Sequence, residues 1–290
     1  MLHSLEKYGL DIIYEEFGML RQQHVNRSIW VANAKTCELL NQGYLPSKTG
    51  SKELNENWYK LTSQLIDEIW GVIYPDMIGE AAEWSEWGAK ITNDDRATHP
   101  TTVYGGMYSA AFFEKDIYEL IEIDILKLPD SSPYVHGIKD VMKWHQENKD
   151  WKTTRQLIYY KYFNEIAGFE IPYPMVGSIV NDLNGIMALL YGEGDFTKTV
   201  AIATTTGYDC DKQAATVGGL LGVINSGKSI PDKFTMELPS RGKWDKPFND
   251  SYINYTRDNL PNFIRISEIV DRLVSVTEKA IHKNGGKKGD

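Results

Sequence analysis

Leucine and isoleucine recur at every fourth position, Leu61, Leu65, Ile69 and Ile73, through the stretch NENWYKLTSQLIDEIWGVIYPDM, and the run stops at Pro75. A four-residue apolar step paints one face of an α-helix, and proline cannot continue it, so the pattern predicts a helix ending near residue 74. The same period returns along most of the chain. LEKYGLDIIYEEFGMLRQQ fits one partly buried amphipathic helix or two short ones joined near Gly9, and TVYGGMYSAAFFEKDIYELIEIDILKLP continues the pattern, with small residues from Gly105 to Ala111 that allow close backbone approach. GIKDVMKWHQENKDWKTTRQLIYYKYFNEI and RISEIVDRLVSVTEKAIHKNGG add further helices, the last closed by Gly285.

Strand signals are sparse. TKTVAIATTTG has the β-branched content of a buried strand, but Asp195 offers an N-cap and Gly207 a stop, so it is read as a helix. Residues 225 to 262 accumulate Pro, Gly, Asn and Ser and predict a long irregular connector. With no repeat or linker in view, the expectation is one all-α domain of stacked helices over residues 1–290. A net charge of -9 gives no positive field for nucleic acid or an anionic membrane surface. No apolar window reaches a bilayer-spanning length, and the N-terminus lacks a signal-peptide layout, which makes a cytoplasmic location the expectation. Cys37 and Cys210 are far apart and read as two unpaired thiols.

The segment GYDCDKQAATVGGLLG, residues 207–222, raises a chemical question. Residues i and i+2 of a regular helix point about 200° apart, so Asp209 and Asp211 converge only where the chain bends, and Gly207 supplies a bend. One reading makes either aspartate an N-cap at a helix entrance. The other makes both of them oxygen ligands of a hard divalent cation, with Ala214, Ala215, Gly218, Gly219 and Gly222 letting the following helix pack closely beneath.

YGEGDFTKTVAIATTTGYDCDKQAATVGGLLGVI resembles the C-terminal signature of the ADP-ribosylglycohydrolase family, of the dinitrogenase-reductase-activating glycohydrolase type, where a Gly-x-Asp-Thr-Asp stretch opens an Ala/Gly-rich helix. VYGGMYSAAFF and DVMKWHQENKDW are similar to segments of larger bacterial members, so the resemblance covers most of residues 60 to 225. It implies an orthogonal multi-helix fold, a pair of Mg²⁺ or Mn²⁺ ions, and hydrolysis of an N- or O-glycosidic bond to ADP-ribose on a protein or a small molecule. Carried over by position, Asp209 and Asp211 match the late metal ligands, and Asp211 would assist proton transfer. Tyr208, Asn181 and Asn184 would line the substrate pocket. The loop around His99, Tyr104, Gly105 and Gly106 falls where members hold phosphates or ribose. Competing readings make the asparagines caps, the glycines close-packing sites and His99 a surface residue.

Two departures stand against that pattern. Members carry an early acidic cluster of the Thr-Asp-Asp-Thr kind, whereas LHSLEKYGLDI resembles the sequence that follows it, so the chain is expected to be N-terminally truncated or to lack half the ligands. Lys212 stands where members often place a hydroxyl ligand; its ammonium would oppose a cation or would itself pair with Asp209 or Asp211 and neutralise them. A catalytically silent binding module, or a hydrolase of another glycoside or nucleoside, therefore remains open. GEGD, at 192–195, reads as a turn into a capped helix rather than a nucleotide loop.

Overall fold

The computed structural model describes residues 1–66, 68–125, 127–166, 169–238 and 242–286. Fourteen α-helices run through them: α1 (Leu2–Tyr8), α2 (Tyr14–His24), α3 (Val31–Asn41), α4 (Ile69–Ile73), α5 (Ile78–Ala89), α6 (His99–Ala110), α7 (Ile117–Ile125), α8 (Pro133–Glu147), α9 (Trp151–Tyr162), α10 (Ser178–Gly192), α11 (Phe196–Thr205), α12 (Cys210–Asn225), α13 (Asp232–Thr235) and α14 (Ile266–Lys283). The strands among the described residues form three two-stranded antiparallel hairpins, such as the pairing of Tyr252 with Ile264 and of Ile253 with Phe263. The all-α expectation holds, and none of these helices is long and apolar enough to cross a membrane.

Local chemistry sets the boundaries. Asp195 caps α11 by accepting the Lys198 N–H at 2.6 Å, and Glu193 and Gly194, both at positive φ, make the turn before it. Gly9, at φ 83°, breaks the N-terminal segment into α1 and α2, and Gly285, at φ 82°, follows α14. The periodic run from Leu61 to Ile73 is a different matter. It forms a 3₁₀ turn over Leu61–Leu65 and the short α4, not one helix, and Leu65 is exposed. The reason is competition for backbone groups. The Asn93 side chain accepts the Ser63 N–H at 3.1 Å and donates to the Trp58 carbonyl at 2.8 Å and to the Lys60 carbonyl. A buried amide thus satisfies backbone that a helix would otherwise have to pair.

Two apolar clusters organise the chain. The larger gathers residues of α6 to α12; the smaller joins Leu5, Ile12, Phe17, Trp70, Ile73 and Tyr74 to Leu273 and Val276 of α14. In the smaller cluster Trp70 stacks on Trp84 with ring centroids 5.1 Å apart, and Tyr14 stacks on Trp87 at 4.6 Å. Every residue of α10 is buried, and α8, α9, α11 and α12 all pack on it. Close approach is built in at Gly71, where a Cβ would stand 2.5 Å from the Gly105 carbonyl oxygen, and α4 therefore lies hard against α6. These contacts bring the entrance of α12 beside the first turns of α10 and the segment before α4.

Candidate functional site

The acidic pair sits on a turn that the backbone forces. Gly207 (φ 85°) and Tyr208 (φ 62°) are consecutive left-handed residues, and for tyrosine that conformation is strained. Tyr208 is held there by its surroundings: the Arg155 guanidinium lies 4.9 Å from the ring centre, Phe163 packs at 5.5 Å, and Arg155 Nε donates to the Thr206 carbonyl at 3.0 Å. The turn delivers Asp209 to the N-cap position of α12 and Asp211 to its first turn. Asp209 makes no side-chain capping bond of normal geometry. Instead its carboxyl lies against that of Asp211. Burial first, and then the hydrogen bond and charge of Asp211, push the Asp209 carboxyl above the usual aspartate range, while the Lys212 charge and N–H work against the shift. Asp211 is exposed, so the pair opens to solvent.

Asn181 fixes the turn from below. Its Oδ1 accepts the Asp209 N–H at 3.0 Å, and its Nδ2 donates to the carbonyls of Gly177 at 2.8 Å and Met175 at 3.1 Å. Its part is to position Asp209. Asn181→Ala is expected to lower stability by about 1–2 kcal/mol, since it strands buried backbone groups. A drop in the thermal unfolding midpoint with α-helical circular dichroism unchanged at low temperature checks it.

Directly inward lies a second, buried set of charges. The Lys212 side chain is 2% exposed and Asp182 is 0% exposed; Nζ donates to Asp182 Oδ1 at 3.1 Å and to Gln64 Oε1 at 2.9 Å, and lies 5.6 Å from the Tyr104 ring centre. Gln213 Nε2 adds a bond to Asp182 Oδ1 at 3.3 Å. Glu68 accepts the Thr216 hydroxyl, and the Tyr108 hydroxyl, which donates to the Thr216 carbonyl at 2.8 Å, lies 3.4 Å from Glu68 Oε2. Burial raises the Glu68 and Asp182 carboxyls, opposed in both by the Lys212 charge. Burial likewise raises Tyr104, Tyr108 and Tyr134, which act here as neutral hydroxyls. A Cβ on Gly185 would stand 2.6 Å from both Gln213 Oε1 and Tyr104 Oη, so glycine is what lets those two side chains lie close over α10.

The remaining residues singled out in the sequence distribute unevenly. His99, Tyr104, Gly105 and Gly106 belong to α6 and not to a loop. Pro100 in its first turn suits a helix start, and the missing proline N–H has no intrahelical partner to lose there. His99 Nδ1 meets Ser132 Oγ at 2.8 Å, and the charges acting on it are Asp95, Glu86 and Arg96, none from the acidic centre. A Cβ on Gly105 would stand 2.6 Å from Ser85 Cβ, so α5 closes that position to any ligand group. Gly106 is buried within the same helix. Asn184 is buried on α10 and donates to the Val180 carbonyl at 2.7 Å. Tyr104 alone of that set reaches the centre, through Lys212. The expected pairing of Lys212 with Asp209 or Asp211 is corrected: the ammonium turns inward to Asp182, because Asp182 is fully buried and needs a partner more than a solvated carboxylate does. Asp182, Glu68, Gln64 and Gln213 escaped the sequence reading. The available signal was Asp182 itself, the one charged residue in the run SIVNDLNGIMALL.

A pair of Mg²⁺ or Mn²⁺ ions does not fit these residues. Asp209 and Asp211 offer two converging carboxylates, enough to contribute to one hydrated ion. Among the described residues no group of three or more His, Cys, Asp and Glu is placed to hold a metal, and the inner carboxylate already holds an ammonium. A cavity of about 690 Å³, lined by His3, Glu6, Arg257 and Arg272 among others, lies between α1, α14 and the 252–261 segment, and no residue of the acidic centre lines it.

The fold is all-α, with an aspartate pair at the entrance of a helix rich in small residues. The profile of the ADP-ribosylglycohydrolase family matches residues 66–274, and the chain belongs to that family. No curated protein and no solved structure matches it significantly.

Proposed function

We propose that the chain is a glycohydrolase of the dinitrogenase-reductase-activating type that releases ADP-ribose from an ADP-ribosylated protein or small molecule, with Asp209 and Asp211 as its reactive groups. The observation that supports it is their convergence: a strained turn, a positioning asparagine and a buried flank hold two carboxyls together at a solvent-facing helix entrance. Family membership supports the ADP-ribosyl substrate class. In the reaction, water adds to the anomeric carbon of the ribose, the bond from that carbon to the acceptor breaks, and the acceptor leaves with a proton. Asp211, exposed and beside Asp209, takes the proton of the attacking water and gives it to the departing acceptor. Asp209 keeps the pair's charge in place and is itself oriented by Asn181. One Mg²⁺ or Mn²⁺ on the two carboxylates would polarise a ribose oxygen or sharpen the water. Tyr208, on the turn itself, would border the sugar.

Incubation of the protein with ADP-ribosylated protein and with a small-molecule ADP-riboside, with and without Mg²⁺ or Mn²⁺, should yield free ADP-ribose from at least one of them. A second reading, a binding module without turnover, draws on the buried Lys212. Calorimetric binding of ADP-ribose with no release under any of these conditions would establish that reading in place of the first.

A further inference from the structure

The inner half of the acidic centre presents two carboxylates and one ammonium, all supplied by the chain. An ammonium has three hydrogens and no acceptor. Here two go to Asp182 Oδ1 and Gln64 Oε1, and the ring face of Tyr104 takes the remaining direction. Its charge is also felt by Glu68, which the Thr216 hydroxyl holds in place. The position is sealed: Asp182 is fully buried, and Gln213, Tyr104 and Gly185 close it from the side of α10.

A divalent ion entering here would need six oxygens at near-ideal geometry and would have to stand within a few ångströms of the ammonium. At such separations two like charges repel strongly in a buried setting, and drawing the Lys212 head away to admit an ion would strand the buried Asp182 carboxylate.

We propose that Lys212 is a resident cation of this protein: it occupies the inner position of the acidic centre as the fixed charge partner of Asp182, so the chain carries no inner divalent-ion site and binds at most one such ion, at Asp209 and Asp211. The proposal is independent of whether the chain hydrolyses ADP-ribosides, and its test contains no activity measurement.

Mn²⁺ binding to the whole protein, counted by calorimetry and by electron paramagnetic resonance, gives the first readout. The wild type should bind no more than one ion, and Lys212→Ser one more than the wild type. Zero ions in the wild type with one in Lys212→Ser keeps the proposal and removes only the outer ion from the hydrolase reading. Thermal unfolding gives the second readout. Lys212→Met, which keeps the stem and loses the charge, should lower the midpoint by roughly 10 °C, because it leaves a buried carboxylate unpaired. Adding Asp182→Asn, which removes the stranded charge at constant shape, should recover at least half of that loss. Two Mn²⁺ ions in the wild type, no added ion in Lys212→Ser, or a Lys212→Met midpoint equal to that of the wild type would each overturn it. So would failure of the Lys212→Met/Asp182→Asn protein to fold, since charge balance could then not be what Lys212 supplies.

Discussion

Asp211→Ala is expected to reduce ADP-ribose release by about 10²–10⁴-fold, the range for loss of a positioned general base. The side chain is exposed, at the first turn of a helix, so stability should move by no more than about 0.5 kcal/mol. The fold of the variant is thus not in question when its activity is read. A second effect should accompany the first. Asp209 is raised by burial and then by its contact with Asp211, so removal of the neighbour lowers its proton affinity again. In the wild type, activity should therefore fall on acidification at a pH above the ordinary aspartate value of 3.8, as Asp209 takes up a proton and the pair loses charge. In Asp211→Asn, whatever residual activity remains should have its acid limb shifted to lower pH. The stability linkage has the opposite sign from that of a salt-bridged carboxylate. A raised carboxyl favours the folded state in its protonated form, so its cost is absent below 3.8 and grows as pH rises through the raised value. Equal turnover by Asp211→Ala and wild type would remove Asp211 from the reaction.

The difference between what could be read in the sequence and what could not follows the range of each interaction. The Asp195 cap, the Gly9 break and the Gly285 stop act within a few residues, and each stands where its residue type places it. Asp209 and Asp211 were visible for the same reason, since a glycine and two carboxylates in five residues describe a turn on their own. The run from Leu61 to Ile73 misled because Asn93, thirty residues from Ser63, takes over its backbone partners. The inner centre was hidden more deeply. Lys212 meets Asp182 across 30 residues and Gln64 across 148, and no local pattern joins them. Read locally, Lys212 looked like an obstacle to a cation beside Asp211. Its side chain instead runs inward, and that direction is decided by a buried carboxylate on another helix. His99 and Gly105 show the same long range: the resemblance points them at a ligand, while their contacts here come from Ser132, at the N-cap of α8, and from Ser85 of α5.

Gly71→Ala should be among the most damaging single-methyl additions to the chain, at about 3 kcal/mol or more, the upper end for an overpacked site. The added carbon would stand 2.5 Å from the Gly105 carbonyl oxygen and closer still to Tyr108 Cβ. Both are atoms fixed by the α6 backbone, so no rotamer change relieves the clash and α4 must move off α6. That motion reaches the site. Glu68 is the N-cap residue of α4, and the hydroxyl of Tyr108, on α6, lies 3.4 Å from Glu68 and donates to the Thr216 carbonyl of α12. Gly105→Ala makes an informative contrast, because there the crowding atoms are the Ser85 side chain, with Cβ at 2.6 Å, while the nearest backbone atom, the Ala81 carbonyl oxygen, is at 3.2 Å. Ser85→Gly should therefore rescue Gly105→Ala in large part, and it should do nothing for Gly71→Ala. Thermal unfolding of the four proteins reads both statements. A Gly71→Ala protein as stable as the wild type would show that α4 and α6 are not locked together, and with that the coupling between the helix layer and the acidic centre would be lost.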